Sequence, residues 1–258
     1  MHRFFVPAEL APGGELALPR DEAHHALSVL RLRAGEQVTV LDGVGHEHIC
    51  EALEVARKSV RLRVLETRLH PPPSFEITLF QCVVKGRAMD NIIQKATELG
   101  VQRIVPVLAA RTVAHLDDDR AETRVEKWRA IAIEAVKQCG NPWLPRLDPP
   151  QPFAQRLAAD ESFDLALVAA LDANARTLRQ TVSVATAAGM EAPRSVAIWI
   201  GPEGDFTPAE MAGLLARGAQ PVTLGPLVLR ADTAAIAALA LVQHELRAPG
   251  PIGEKPRR

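Results

Sequence analysis

The sequence has few cysteines, few aromatic residues and no tyrosine. Cys50, Cys82 and Cys139 lie far apart with no C-x-x-C spacing, which argues against a disulfide framework and a zinc knuckle. No apolar run reaches the roughly 18 residues of a membrane span, and the start does not resemble a signal peptide. We therefore expect a cytoplasmic protein with free thiols and no membrane partner.

The sequence also lacks an excess of charge of either sign. Thirty Lys and Arg residues oppose 31 Asp and Glu residues, so nucleic-acid binding by bulk electrostatics is disfavoured, although a local basic face is permitted. The 258 residues are enough for one or two domains, each able to bury its own core.

A run of three prolines, Pro71 to Pro73, separates two regions with different patterns. Upstream of it, short alternating segments bounded by turn residues predict a small β-barrel. A helix is expected from Ala23 to Leu32, with its stop at Gly35. The predicted strands of this region are 37–41, 47–51 and 60–64.

Downstream of residue 75, apolar strands alternate with helical segments, which predicts a mostly parallel sheet with helices on both faces. Helices are expected at 87–99 and 233–246, a charged helix is expected to start near 117–120, and Thr207 to Glu210 has the form of a capping box. The predicted strands are 77–84, 103–107, 164–170, 196–200 and 221–224. The resulting domains are 1–70 and 75–247, followed by a flexible tail at 248–258.

Two strand ends carry loops suited to a ligand. One strand runs into Gly201-Pro202-Glu203-Gly204, and the next runs through Leu224-Gly225 into an apolar loop and a helix start at Thr233. In open α/β sheets ligands bind outside the carboxyl ends of the strands, and glycines let backbone amides approach them. An apolar loop needs a cofactor, a partner subunit or a knot-like crossing to cover it. Together the two loops favour one shared pocket.

Other motifs are weaker or point away from common sites. Neither loop has the glycine pattern of a dinucleotide or P-loop site, and Gly43-Val44-Gly45 is better explained as a hairpin turn. His46 and His48 would share one strand face, but no third metal ligand is evident. We expect exposed histidines there, and no metal.

A basic group could track RNA phosphates or simply be a solvated strand face, and composition leaves both readings open. Its members are Arg31, Arg33, Arg57, Lys58, Arg61 and Arg63.

Several motifs together resemble the ribosomal RNA small-subunit methyltransferases of the E type, which belong to the knotted SPOUT methyltransferases. The resemblance covers nearly the whole chain, in order, and is therefore more specific than any one motif. The matching pieces are Arg3 to Val6, Val29 to Arg31, Lys85-Gly86, Gln94 to Val101, Pro106, Lys137 to Gly140, Ile200 to Gly204, Leu224-Gly225, Leu229-Arg230 and Thr233.

The resemblance implies methyl transfer from S-adenosylmethionine to N3 of a specific uridine in 16S (small-subunit) ribosomal RNA, either free or in the 30S particle. It also implies a PUA-like β-barrel, an α/β domain with a C-terminal trefoil knot, and a homodimer. The residues implied to bind the cofactor are Ala170, Ile200, Gly201, Pro202, Glu203, Gly204, Leu224, Gly225, Leu229, Thr233 and Ala234.

Uracil N3 carries a proton at neutral pH, so its methylation needs a base or stabilisation of the anion that forms. Arg230 is predicted to stabilise that charge or to position a phosphate. Glu203 and Asp232 are candidates for the base, and equally for capping a helix or orienting Arg230. The arginines predicted to hold RNA are Arg3, Arg31, Arg33, Arg61 and Arg63.

Four positions depart from the family pattern. Leu227 and Asn141 stand where arginine is usual, Asp232 where glutamate is usual, and Asp205 where glycine is common. The two lost arginines bear on RNA contacts or rate more than on the cofactor. Two alternatives stay open: a knotted methyltransferase acting on another RNA, and a non-catalytic RNA-binding or ribosome assembly factor.

Overall fold

The computed structural model describes residues 1–7, 10–112, 121–172, 175–187, 189 and 191–247. These residues form two compact units, which divide between Pro72 and Pro73. The first unit also includes Ile133–Leu144, which the sequence pattern assigned to the second domain. The expected tail, 248–258, and the acidic run, 117–119, lie outside the described residues.

The first unit is built on a five-stranded sheet in the order β1-β3-β4-β5-β2. β1 pairs with β3 in parallel, and the other pairs are antiparallel. Alternate residues of β5, Val60, Leu62 and Val64, face the core, as expected for a strand with one buried face. The elements are β1 Arg3–Phe5, β2 Glu15–Ala17, α1 Arg20–His24, a π-helical turn His25–Val29, β3 Gln37–Leu41, β4 His46–Ala56 and β5 Ser59–Leu69.

The predicted helix from Ala23 to Leu32 is wrong at both ends. It starts at Arg20, directly after Pro19, widens into the π-helical turn at His25 and ends at Val29. Arg31 then adopts φ +53°, a left-handed conformation that stops the helix four residues before Gly35.

The hairpin turn predicted at Gly43 to Gly45 is confirmed, since β3 and β4 flank it in antiparallel register. Asp42 Oδ1 accepts hydrogen bonds from the backbone N–H groups of Val44, at 2.8 Å, and His46, at 3.0 Å.

The expectation that both strand histidines are exposed is wrong for His48, which is 1% exposed. Its Nδ1 lies 2.9 Å from Thr67 Oγ1, and burial lowers its pKa, which favours a neutral ring in the core.

The second unit contains a parallel sheet in the order β12-β10-β11-β6-β7-β8, with β9 also pairing with β7. Its strands are β6 Glu76–Cys82, β7 Arg103–Leu108, β8 Arg146–Leu147, β9 Gln151–Pro152, β10 Leu165–Ala169, β11 Ser195–Ile200 and β12 Gln220–Val222. Its helices are α2 Arg87–Glu98, α3 Ala121–Cys139, α4 Phe153–Ala158, α5 Leu178–Ala187, α6 Pro208–Ala216 and α7 Ala231–Leu246, with the end of α3 grouped in the first unit.

Helices cover this sheet because side chains of its strands are apolar on both faces. Phe80 of β6 and Trp199 of β11 stack with ring centroids 4.1 Å apart in one core cluster. Ala235 and Ala238 are buried on α7, which packs on β11 and α2. The predicted α/β class with a mostly parallel sheet is confirmed.

The capping box predicted at the start of α6 is also confirmed. Thr207 Oγ1 accepts the N–H of Glu210 at 3.2 Å, and Glu210 Oε2 accepts the N–H of Thr207 at 2.8 Å. This reciprocal pair fixes the direction in which the chain leaves the loop after β11.

Candidate functional site

An open cavity lies at the carboxyl ends of β10, β11 and β12, with about 630 Å³ of space that includes open solvent at its mouth. The end of β10, the loop after β11, the loop after β12 and the start of α7 form its walls. The lining residues are Ala169, Ala170, Leu171, Ile200, Gly201, Pro202, Glu203, Asp205, Leu224, Gly225, Leu227, Val228, Leu229, Ala231 and Ala234.

The structure brings nine of the eleven predicted cofactor residues to this cavity. They are Ala170, Ile200, Gly201, Pro202, Glu203, Leu224, Gly225, Leu229 and Ala234. Gly204 and Thr233 do not line it, although each is next in sequence to a lining segment. Parallel strands end at the same edge of a sheet, so two loops that are distant in sequence meet there.

We name residues 201–205 the Gly201 loop. Its last residue, Asp205, lines the cavity with φ +59°, a conformation that glycine adopts at little cost. Asp205 Oδ1 accepts the N–H of Phe206 at 2.7 Å, a local hydrogen bond that helps an aspartate to tolerate this conformation. The departure from glycine seen in the sequence therefore marks a left-handed residue in the cavity wall.

We name residues 225–230 the apolar loop. Leu227 and Val228 line the cavity, yet 72% and 81% of their surface is exposed. Leu171, after β10, is a third exposed apolar residue of the lining. The sequence analysis predicted that the loops containing these three residues form the pocket, but it named none of the three as a cofactor residue. The rim of this cavity is thus an exposed apolar surface in the part of the chain that the structure describes.

The three predicted catalytic residues occupy different positions. Glu203 is exposed and lines the cavity. Arg230 is exposed at the N-cap of α7, makes no side-chain capping bond, and is not a lining residue. Asp232 Oδ1 accepts the N–H of Thr233 at 2.8 Å, within the first turn of α7. Asp232 therefore has the helix-terminal contact that the sequence left open as an alternative to catalysis.

The arginines predicted to hold RNA differ in the contacts that they make. Arg31 and Arg33 are exposed. Arg61 and Arg63 both pair with Glu15, with 3.5 Å between Arg63 Nη2 and a carboxylate oxygen, so part of their charge is compensated.

Arg3 is turned toward its own unit. Its Nη1 donates to the carbonyl oxygens of Lys137, at 3.2 Å, and Gln138, at 3.1 Å. In the loop that follows, Asn141 Oδ1 accepts the N–H of Trp143 at 3.0 Å. The asparagine that replaces a family arginine thus stabilises a turn, and Arg3 closes the end of α3.

Metal clusters and membrane spans can both be assessed in the part of the chain that the structure describes. Within it, no group of three His, Cys, Asp or Glu side chains is placed to hold a metal ion. None of the described helices is both long enough and apolar enough to cross a membrane.

Sequence comparison matches both regions of the chain to known families. Residues 70–243 match the family described as RNA methyltransferase domain, and residues 18–65 match that described as RNA methyltransferase PUA domain. The Ribosomal RNA small subunit methyltransferase E of Mycobacterium bovis is 34% identical, over 93% of this chain and 90% of the relative. That of Bacillus subtilis is 30% identical, over 95% of this chain and 97% of the relative.

Solved structures of similar proteins contain S-adenosylmethionine. The Ribosomal RNA small subunit methyltransferase E of Neisseria gonorrhoeae, solved with that compound, aligns with TM-score 0.83 and 30% identity over 95% of this chain and 97% of the other. A methyltransferase of Legionella pneumophila, also solved with it, aligns with TM-score 0.84 and 32% identity over 94% and 96%. These matches confirm the predicted family and the PUA-type N-terminal domain, whereas the trefoil knot stays a prediction. The chain belongs to the ribosomal RNA small subunit methyltransferase E family.

Proposed function

We propose that this protein transfers the methyl group of S-adenosylmethionine to N3 of one uridine in small-subunit ribosomal RNA. The cavity at the ends of β10, β11 and β12 is the observation that carries the proposal. It brings together nine of the eleven residues that the family resemblance implies to bind the cofactor. Relatives named for small-subunit ribosomal RNA, and similar structures with bound S-adenosylmethionine, support it.

The chemistry of the cavity walls fits this cofactor. Leu224, Leu229 and Ala234 offer apolar surface for an adenine ring, and the backbone of the Gly201 loop offers hydrogen-bonding groups close to the cavity. Glu203 and Asp205 place carboxylates in the wall, which favours a positively charged ligand such as a sulfonium. When bound, S-adenosylmethionine supplies an already activated methyl group.

The protein must then manage the proton on uracil N3. Glu203 is the stronger candidate for accepting it, because it is exposed at the cavity wall while one oxygen of Asp232 is engaged by the N–H of Thr233. Arg230 would stabilise the negative charge on a uracil oxygen or hold the adjacent phosphate. Alignment of the two reactants and exclusion of water supply the rest of the acceleration.

In this proposal residues 1–70, together with 133–144, bind RNA, and the rest of residues 75–247 carries out the transfer. Arg31 and Arg33 are the leading RNA contacts, because both are exposed. Arg61 and Arg63 are weaker candidates because Glu15 pairs with both, and Arg3 acts by holding the end of α3.

Arg31 allows a clean test of RNA binding, because its φ of +53° suits glycine. Arg31→Gly removes the guanidinium without straining the backbone. We expect weaker RNA binding with a shallower salt dependence and an unchanged fold, measured by filter binding at several salt concentrations and by circular dichroism. If the RNA affinity of Arg31→Gly and its dependence on salt are unchanged, Arg31 does not contact RNA.

We also propose that the protein is a homodimer that acts in the cytoplasm, on free RNA or on the 30S particle. A second copy of the chain would cover Leu227, Val228 and Leu171, whose exposure is unusual for apolar side chains around a cavity. Burial of such side chains is the main favourable term in subunit association.

The decisive experiment is incubation of the purified protein with labelled S-adenosylmethionine and unmodified small ribosomal subunits, followed by nucleoside digestion and mass spectrometry. Label in N3-methyluridine is the expected result. Label in another nucleoside, or only with another RNA, would favour a related methyltransferase with a changed substrate. Cofactor binding without transfer would contradict the proposed reaction, and RNA binding with no cofactor binding would favour the assembly-factor alternative.

A further inference from the structure

A short segment after β7, residues 109–112, contacts the Gly201 loop. This segment is a closed turn, in which the N–H of Ala109 donates to Thr112 Oγ1 at 2.9 Å and the N–H of Thr112 donates to the carbonyl of Ala109 at 3.0 Å. The N–H of Ala110 donates to Glu210 Oε1 at 2.8 Å, which joins the turn to the start of α6. The turn therefore has a fixed position relative to the helix that follows the Gly201 loop.

Arg111 extends from this turn to the Gly201 loop. Its Nη1 donates to the carbonyl oxygen of Gly204 at 2.7 Å. Its stem also packs on that glycine, because a Cβ placed on Gly204 would lie 3.3 Å from Arg111 Cδ and 3.4 Å from Arg111 Cβ. A side chain at 204 would push against the arginine, so the small residue and the arginine form one contact.

Glu210 connects the 109–112 turn to Thr207, the N-cap of α6. One carboxylate oxygen accepts from Ala110, and the other accepts from the N–H and the hydroxyl of Thr207, at 2.8 and 2.9 Å. Burial opposes ionisation of this carboxyl, but the hydrogen bonds from Ala110 and Thr207, together with the charge of Arg111, outweigh it and lower the pKa. Glu210 is therefore ionised at neutral pH and accepts at both oxygens.

We propose that Arg111 is a positioning residue for the cofactor: it fixes the Gly204 carbonyl and so orders the backbone from Gly201 to Glu203 that lines the cavity. This inference rests on the proposed function, since it requires that the cavity holds S-adenosylmethionine. A loop with two glycines loses much conformational entropy when it closes on a ligand. Ordering the loop before binding removes part of that cost and raises affinity.

The alternative role for an exposed arginine beside this site is direct contact with RNA phosphate. The two roles differ in what they change. A positioning residue acts on the affinity and KM for S-adenosylmethionine, whereas a phosphate contact acts on the KM for RNA and on its salt dependence.

Arg111→Met is the informative variant because methionine keeps an unbranched stem over Gly204 and loses the donor. Arg217→Met is its matched control: Arg217 is also exposed, and its Nη2 donates to a backbone carbonyl at 2.5 Å, but that carbonyl belongs to Ala159, outside the Gly201 loop. By calorimetry we expect Arg111→Met to weaken S-adenosylmethionine binding about five- to twentyfold, and Arg217→Met to change it less than about twofold. Arg111→Lys should recover part of the affinity, since lysine also donates.

Several outcomes would overturn the inference. They are unchanged cofactor affinity in Arg111→Met, a loss of cofactor affinity in Arg217→Met equal to that in Arg111→Met, or a rise confined to the KM for RNA.

A second variant, Ala234→Leu, fills the cavity from α7 and separates failure of this inference from failure of the proposed function. Its control is Ala240→Leu, on the exposed part of the same helix. If Ala234→Leu leaves cofactor affinity intact, the cavity assignment itself fails and the role of Arg111 fails with it. If Ala234→Leu abolishes binding and Arg111→Met does not change it, only the positioning role fails.

Discussion

The Gly201 loop and the apolar loop lie on the same cavity but are stabilised in different ways. The Gly201 loop is tied to its own unit by the bond from Arg111 to Gly204, by the buried ring of Phe206 and by the capping box that follows. In the apolar loop, Leu227 and Val228 are among the most exposed large hydrophobic residues of the described chain. Among the described residues, one wall of the cavity is therefore held by contacts within its own unit, and the other presents exposed apolar surface.

This difference suggests a division of labour in the proposed reaction. The ordered Gly201 loop suits the cofactor, whose affinity gains from a wall that does not have to rearrange. The apolar loop ends at Arg230, the N-cap of α7, so the group proposed to stabilise charge lies on the side that the proposed dimer and RNA would complete. Changes in the two loops should accordingly affect different measurements.

Arg230→Ala is expected to give the largest effect. Removal of a charge-stabilising donor should slow methyl transfer by about 100-fold or more, while the Kd for S-adenosylmethionine changes less than about threefold. Single-turnover transfer and calorimetry measure the two quantities. Arg247→Ala, at the other end of α7, is the matched control and should leave both unchanged. Loss of cofactor binding in Arg230→Ala would show that the apolar loop also serves the cofactor, and the two loops would then not have separate roles.

Leu227→Ser tests the open side of the cavity through assembly. If the proposed second subunit covers Leu227, its replacement by serine should weaken the dimer about tenfold or more, since burial of a leucine contributes roughly 1.5–3 kcal/mol. Sedimentation over a range of concentrations measures this shift. Leu215→Ser is the control, because Leu215 is an exposed leucine on α6 that does not line the cavity. A wild-type protein that is monomeric at all concentrations would contradict the proposed dimer. The cofactor or RNA would then be the group that covers the apolar loop.

The parts of this site that the sequence predicted are those encoded by local patterns. Alternation and turn residues predicted β3 to the residue, and Thr207 with Glu210 predicted the cap of α6. Glycines after two strands predicted the two loops, because parallel strands end at one edge. The contact between Arg111 and Gly204 joins residues 93 apart, so no periodicity or local motif indicates it.

Two errors in the first unit have a similar cause. His48 is polar and was expected to be exposed, but the strands on either side of β4 bury it, and Thr67 provides a partner for its ring. The predicted helix followed apolar spacing at 3.6 residues per turn, and the π-helical turn at His25 breaks that period. In both cases tertiary packing outweighed the local preference.

Asp205 provides a smaller test of how the Gly201 loop is ordered. Asp205→Ala keeps a Cβ at φ +59° and loses the bond to the N–H of Phe206, so it should destabilise the fold by about 1 kcal/mol. Asp205→Gly loses the same bond but relieves the backbone strain, and should stay within about 0.5 kcal/mol of wild type. Urea unfolding monitored by circular dichroism measures both. Equal destabilisation by alanine and glycine would show that the left-handed conformation costs nothing here.

The smallest expected effect is the pH dependence of the contact between Glu210 and the 109–112 turn. The pKa of Glu210 in the folded protein is lower than its ordinary value of about 4.5, so its contribution to stability is fully present above pH 4.5 and is lost as the pH falls through the lowered pKa. The difference in thermal midpoint between wild type and Glu210→Gln should therefore be constant from pH 8 to about 5 and should shrink below 4.5. Glu191→Gln, at an exposed position, controls for the loss of one carboxylate. A difference that stays constant or widens toward pH 3 would show that ionised Glu210 does not hold this turn. The order of the Gly201 loop would then depend on the bond from Arg111 to Gly204 alone.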